Sequence, residues 1–187
     1  VIGGGNIWRY RDFKHLTLPR VTSDTMGMLA TVMNAMAFEN ALKEEGVDVR
    51  AVSALSCPQG LEDYVPKKAL SHLEKGRVVI FAGGTGSPFF TTDSAAALRA
   101  LEMECDVLLK ATKVDFVYDK DPMKFRDAKK YLKMNFQQVI EGGLGVMDLT
   151  CASLCQSGKM PMLVFNLNKK GNIEKAVKGE KVGTIIN

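Results

Sequence analysis

Three loops hold the residues whose types and spacing could do chemistry. The first is GGGN, Gly3 to Asn6, directly after the apolar pair Val1-Ile2. Three glycines let a backbone approach a ligand closely, and their N–H groups can face an anion. Arg9 follows within reach of a phosphate, as a two-pronged donor. The same three glycines could also make nothing more than a tight turn. The second loop is GGTGSPFFTTD, Gly83 to Asp93, after the run RVVIFA. Thr85, Thr91 and Thr92 bring hydroxyls to the start of a helix, where the dipole favours negative charge. Phe89 and Phe90 could flank a planar base or fill the core. Asp93 suits a helix start or a functional carboxylate equally well. The third loop is KATKVDFVYDKDP, Lys110 to Pro122, with Thr112, Tyr118 and Asp121 among its residues. Tyr118 could pack on a ring and Asp121 could accept from a sugar hydroxyl or an amine. A solvated loop would look the same.

The elements between these loops alternate. From Thr22 the pattern is helical, with Thr22 or Ser23 available as a cap. Met26, Leu29, Met33 and Met36 recur at spacings of three and four, which predicts a core-facing stripe, with subunit contact as the other use of such a face. Gly46 stops this helix. VRAVSAL reads as a strand, KKALSHLEK as a helix stopped by Gly76, and RVVIFA as a strand buried on both faces. A helix from Thr92, the strand DVLLKA, the helices NFQQVIEG and DLTCASLCQSG, the strand MLVFNL, a short helix NIEKAVKG and a last strand TII complete the chain. Strands alternating with helices predict an α/β fold, a three-layer αβα sandwich with a mostly parallel central sheet. No repeat or linker divides residues 1–187, so a single domain is expected. Ligands in such folds sit outside the carboxyl ends of the strands, where the three loops lie.

Composition narrows the classes. The 187 residues carry a net charge of +4 with no basic run longer than a pair, which argues against a nucleic-acid partner. No apolar run reaches the roughly 20 residues of a membrane span, and a cytoplasmic protein is expected. Four cysteines include no CxxC. Cys151 and Cys155 share a helix face, where buried free thiols are a better reading than a metal pair lacking further ligands. The P-loop GxxxxGK[ST], the dinucleotide GxGxxG and the GxSxG elbow are all absent.

In order along the chain, IGGGN with Trp8-Arg9, DTMGMLATVMNA, GGTGSPFFTTDSAA, LLKATKVD with VYDKDP, GVMD, VFN and GTII closely resemble the bacterial uridylate kinases of the amino-acid kinase fold family. The resemblance implies transfer of the ATP γ-phosphoryl group to UMP, giving UDP for pyrimidine nucleotide biosynthesis, with Mg²⁺. It implies that UMP is held by Gly4, Asp24, Thr85, Gly86, Ser87, Pro88, Phe89, Phe90, Thr91 and Thr92, with Asp24 accepting from the ribose hydroxyls. It places Gly5 and Arg9 at the transferring phosphates and Thr112, Tyr118 and Asp121 on the adenosine side of the ATP site. Arg9, Asp93 and Asp148 are the implied catalytic residues. A homo-hexamer with GTP and UTP as effectors is implied as well. The family opens with a strand and a KxSG loop that have no counterpart after Val1, so the chain is expected to be N-terminally incomplete and, taken alone, a poor catalyst. Where the family usually has glycine after the KVD aspartate, Phe116 stands, which predicts an altered turn or backbone strain. Another phosphotransferase of the same fold, and a non-catalytic nucleotide- or anion-binding protein, are the alternative readings.

Overall fold

Alternating apolar and helical segments form the expected elements in a computed structural model, which describes residues 1–13, 15 and 17–187. In chain order these are α1 (Arg20–Glu44), β1 (Val49–Ser53), β2 (Glu62–Asp63), α2 (Pro66–Glu74), β3 (Val78–Ala82) and α3 (Thr92–Glu102). They continue with β4 (Leu108–Thr112), β5 (Val117–Tyr118), β6 (Lys130–Tyr131), β7 (Lys133–Met134) and α4 (Phe136–Glu141). The last are α5 (Leu149–Ser157), β8 (Met162–Asn166), α6 (Asn172–Val177) and β9 (Thr184–Ile186). A single 3-10 turn, Tyr10–Phe13, precedes α1. The chain forms two compact units, Val1–Met103 and Glu104–Asn187.

In the first unit β1 lies between β2 and β3, all parallel. Ile2 donates to the Phe81 carbonyl, which brings the chain start alongside β3. Ile80, Phe81 and Ala82 are buried, but Val78 is exposed, so only the second half of RVVIFA is interior. α1 begins at Arg20, two residues before the expected start, with Pro19 as N-cap and no side-chain cap. Ser23 is instead buried, and its hydroxyl accepts from Trp8 Nε1.

The face that α1 buries also differs from the expected one. Leu29, Met33 and Met36 are 48%, 60% and 44% exposed. Ala30, Thr31, Val32 and Ala35 are buried instead, and Val32 and Ala35 join Val49, Ala51, Leu61, Ile80 and Ala82 in the core. Helical spacing alone could not choose between two apolar stripes. The stripe of small residues wins because it lets the helix come close to the sheet and to the Gly3–Gly5 turn.

A second cluster sets Tyr64 edge-on to Phe81, beside Val52, Ala69 and Met103. The Tyr64 hydroxyl donates to Glu102. Burial, and then the bond to the carboxylate, push its pKa up to about 12. The fold thus favours the neutral phenol. Its contribution is complete below about pH 10, the ordinary tyrosine value, and is lost as pH rises through about 12. In an ultraviolet absorbance titration one of the four tyrosines should ionise at about pH 12, and Tyr64→Phe should delete that step.

In the second unit β4 and β8 are parallel, β9 runs antiparallel to β8, and β7 pairs parallel with β9. β5 and β6 form a separate antiparallel pair. Thr184, fully buried, joins the two: its Oγ1 accepts from Val117 N and donates to the Tyr131 carbonyl. Cys151 and Cys155 are buried on α5, as expected, whereas Cys57 is half-buried and Cys105 exposed.

Candidate functional site

The Gly3–Gly5 turn is built onto α1. A Cβ at Gly4 would sit 2.5 Å from the Gly27 carbonyl oxygen and 2.9 Å from Ala30 Cβ, so only glycine fits. Asn34 of α1 donates to the Gly3 carbonyl at 2.7 Å and exchanges two amide hydrogen bonds with Asn6. The Gly4 carbonyl accepts from Ile7 and Trp8 N–H, and the resulting turn leads to Arg9.

The second loop starts on the same scaffold. Gly83 N donates to Thr31 Oγ1 of α1 at 2.7 Å, and Gly86 N closes a turn on the Gly83 carbonyl. At the loop's far end Thr91 caps α3, its hydroxyl accepting from Asp93 N and Ser94 N. Near the middle Phe89 has φ +72, a left-handed conformation that costs a non-glycine residue about 1 kcal/mol or more. Phe89 N donates to Asp24 Oδ2 at 2.8 Å, which offsets that cost. Asp24 also receives Arg20 Nε on both carboxylate oxygens, each at 2.8 Å. The Arg20 guanidinium lies over the Tyr10 ring at 4.6 Å and the Phe89 ring at 5.8 Å.

Between these loops is a cleft of about 750 Å³ in the first unit. It gathers ten of the candidate residues: Gly4, Gly5, Arg9, Asp24, Thr85, Ser87, Phe90, Thr91, Thr92 and Asp93. Gly86, Pro88 and Phe89 belong to the same loop but do not line the cleft. Sequence reasoning missed Tyr10, Arg11 and Arg20, which do line it. Arg20 had one available signal, its position four residues before Asp24 on a helical stretch. Arg9, Arg11 and Arg20 bring three guanidinium groups to one cleft beside a helix N-terminus and a glycine turn. Such an arrangement is chemically suited to an anion such as phosphate, although Arg20 is paired with Asp24 and Arg11 with Asp12.

The remaining candidates lie in the second unit. Thr112 ends β4, and its hydroxyl accepts from Val114 N. Tyr118 is on β5. Asp121 accepts from Met123 N at 2.9 Å, and its carbonyl closes the following turn. Among the described residues no hydrogen bond joins these three. Asp148 is the N-cap of α5, accepting from Cys151 N at 2.9 Å. Asp115 is held by Lys169 and Asn166, whose hydrogen bonds keep its carboxyl below the usual range. Phe116 is not strained: its φ is negative, and its ring meets Lys130 Nζ at 4.6 Å. The turn needs no left-handed residue at that position; the non-glycine residues with positive φ are Phe89, Glu104 and Lys159. Among the described residues no group of three or more His, Cys, Asp or Glu is placed to hold a metal ion.

The chain is similar to known proteins in sequence and in fold. The sequence profile of the amino acid kinase family matches residues 1–166. A uridylate kinase of Dichelobacter nodosus is 53% identical over 186 residues, covering 100% of this chain and 77% of that protein. The structure of UMP kinase from Ureaplasma parvum superposes with a TM-score of 0.95 at 39% identity, over 100% of this chain and 80% of that one. UMP kinase from Bacillus anthracis gives 0.97 at 36% identity, over 100% and 78%.

Proposed function

The chain belongs to the amino acid kinase family and has its fold, and from that premise we propose that it is a UMP kinase, transferring the γ-phosphoryl group of ATP to UMP. The observation that carries this reading is the cleft itself, where a glycine turn, Arg9, Asp24 and the capped start of α3 converge. The match over residues 1–166 runs through both compact units, which supports reading 1–187 as one amino-acid kinase domain.

The roles follow from what each group offers. The run from Thr85 to Thr92 receives the nucleotide, with the α3 N-terminus and Thr92 toward its phosphate. Asp24 accepts from the ribose. Gly5 and Arg9 face the transferring phosphates, where N–H groups and a guanidinium stabilise developing charge. The UMP phosphate oxygen, ionised at neutral pH, is the nucleophile, so no protein base is needed. Asp93, in the first turn of α3, helps fix the catalytic arrangement. Thr112, Tyr118 and Asp121 take the adenosine end of ATP, and Asp148 lies toward the phosphates. Mg²⁺, entering with ATP, would neutralise charge on the phosphates beside Arg9 and Gly5.

The exposed stripe of Leu29, Met33 and Met36 supports self-association, and we take the assembly to be a homo-hexamer. GTP and UTP as effectors rest on the sequence resemblance alone. Among the described residues no helix is long and apolar enough to cross a membrane, and we assign the protein to the cytoplasm.

The deciding experiment offers the full-length protein Mg-ATP with UMP, CMP, dUMP, glutamate or carbamate. UDP formation with a strong preference for UMP is expected. Turnover on glutamate or carbamate instead would move the protein elsewhere in its family. Nucleotide binding with no turnover on any acceptor would make it a binding protein.

A further inference from the structure

Arg99 on α3 is only 4% exposed, and none of the steps above uses it. A buried guanidinium is costly unless its donors are matched. Here Cζ lies 3.9 Å from the centre of the Tyr64 ring, Nη1 pairs with the Glu102 carboxylate, and the Tyr64 hydroxyl holds that carboxylate in turn. The other terminal nitrogen, Nη2, turns toward the cleft. Nη2 reaches the Gly84 carbonyl at 3.3 Å.

Gly84, at φ +59, lines the cleft, and Gly83 before it is gripped by Thr31. Two consecutive residues at the entrance of the nucleotide loop are therefore anchored, one to α1 and one to α3. A lysine could pair with Glu102, but it lacks the planar fork that stacks on Tyr64 while also reaching Gly84.

We propose that Arg99 is a positioning residue for the acceptor nucleotide. Through the Gly84 carbonyl it holds the Gly83–Thr92 loop in its receiving shape, from behind the cleft and without touching substrate. This deepens the UMP kinase reading and rests on it.

The test is Arg99→Lys in the full-length protein, read by UMP binding calorimetry, steady-state kinetics and thermal melting. Kd and KM for UMP should rise about tenfold, the equivalent of one charge-assisted hydrogen bond, while KM for ATP stays the same. Tyr64→Phe loosens Glu102 without removing the cation and covers the case in which Arg99→Lys does not fold. It should raise KM for UMP about two- to threefold. Unchanged UMP affinity in the folded variants, with losses only in kcat that track the folded fraction, overturns the inference and leaves the kinase reading standing. A wild-type protein that neither binds nor phosphorylates UMP overturns both.

Discussion

Replacing Arg9 by alanine should lower kcat for UDP formation by about 10²–10³-fold, the usual cost of removing one preorganised group that stabilises transition-state charge. Arg9 is exposed, lines the cleft, and makes no side-chain hydrogen bond or ion pair among the described residues. Its guanidinium lies close over Gly5, since a Cβ there would fall 2.9 Å from Nη2. Nothing in the resting fold depends on it, so the melting temperature should hold. In phosphoryl transfer the charge spreads over the oxygens of the moving group, and a cation aimed there matters more in the transition state than in the ground state. KM for UMP should accordingly change little. Arg9→Lys should recover part of the rate, because it restores charge but not the fork. A fall in kcat smaller than about threefold for Arg9→Ala would remove Arg9 from the reacting centre.

How far the sequence reached depends on what kind of signal each feature leaves. Long apolar strands and glycine stops read directly: Gly46 and Gly76 both follow their helices with φ +78 and +74. β5 and β6 left no signal, because two-residue strands such as Val117–Tyr118 and Lys130–Tyr131 have no periodicity to detect. The buried face of α1 was misjudged because methionine and leucine outweigh alanine on any hydrophobic scale. Closeness of approach favoured Ala30, Thr31 and Ala35. The glycine loops announced a ligand through composition. Arg20 and Tyr10 did not, since an arginine or tyrosine outside a motif looks like ordinary surface. Phe116 shows the opposite error. Departure from a family pattern suggested an altered turn or strain there, yet Phe116 has no positive φ, whereas Phe89 does, its N–H held by a carboxylate 65 positions away. Local sequence carries no trace of so distant a partner.

Asp24→Asn is expected to raise KM for UMP by about 10- to 100-fold, the range for losing a hydrogen bond to a charged group. The side chain is 14% exposed and already accepts from Arg20 Nε, whose one N–H is shared between both oxygens, and from Phe89 N on Oδ2. A carboxylate offers about four acceptor positions, so one remains, on Oδ1, for a ribose hydroxyl. Asparagine keeps an acceptor for Phe89 but gives up the charge that pairs with Arg20, and its amide nitrogen cannot accept from ribose. Preference for UMP over dUMP should therefore narrow along with the rise in KM, if the hydroxyl taken is the one that dUMP lacks. A purely structural role predicts another pattern. Losing the Phe89 anchor would release a strained loop, weaken UMP and dUMP equally, and lower the melting temperature. Kinetics on both nucleotides beside thermal melting distinguish the two. Equal losses on UMP and dUMP together with a lower melting temperature would make Asp24 the clasp that holds Phe89 at φ +72. A selective loss on UMP would show the same carboxylate shaping the loop and reading the ribose.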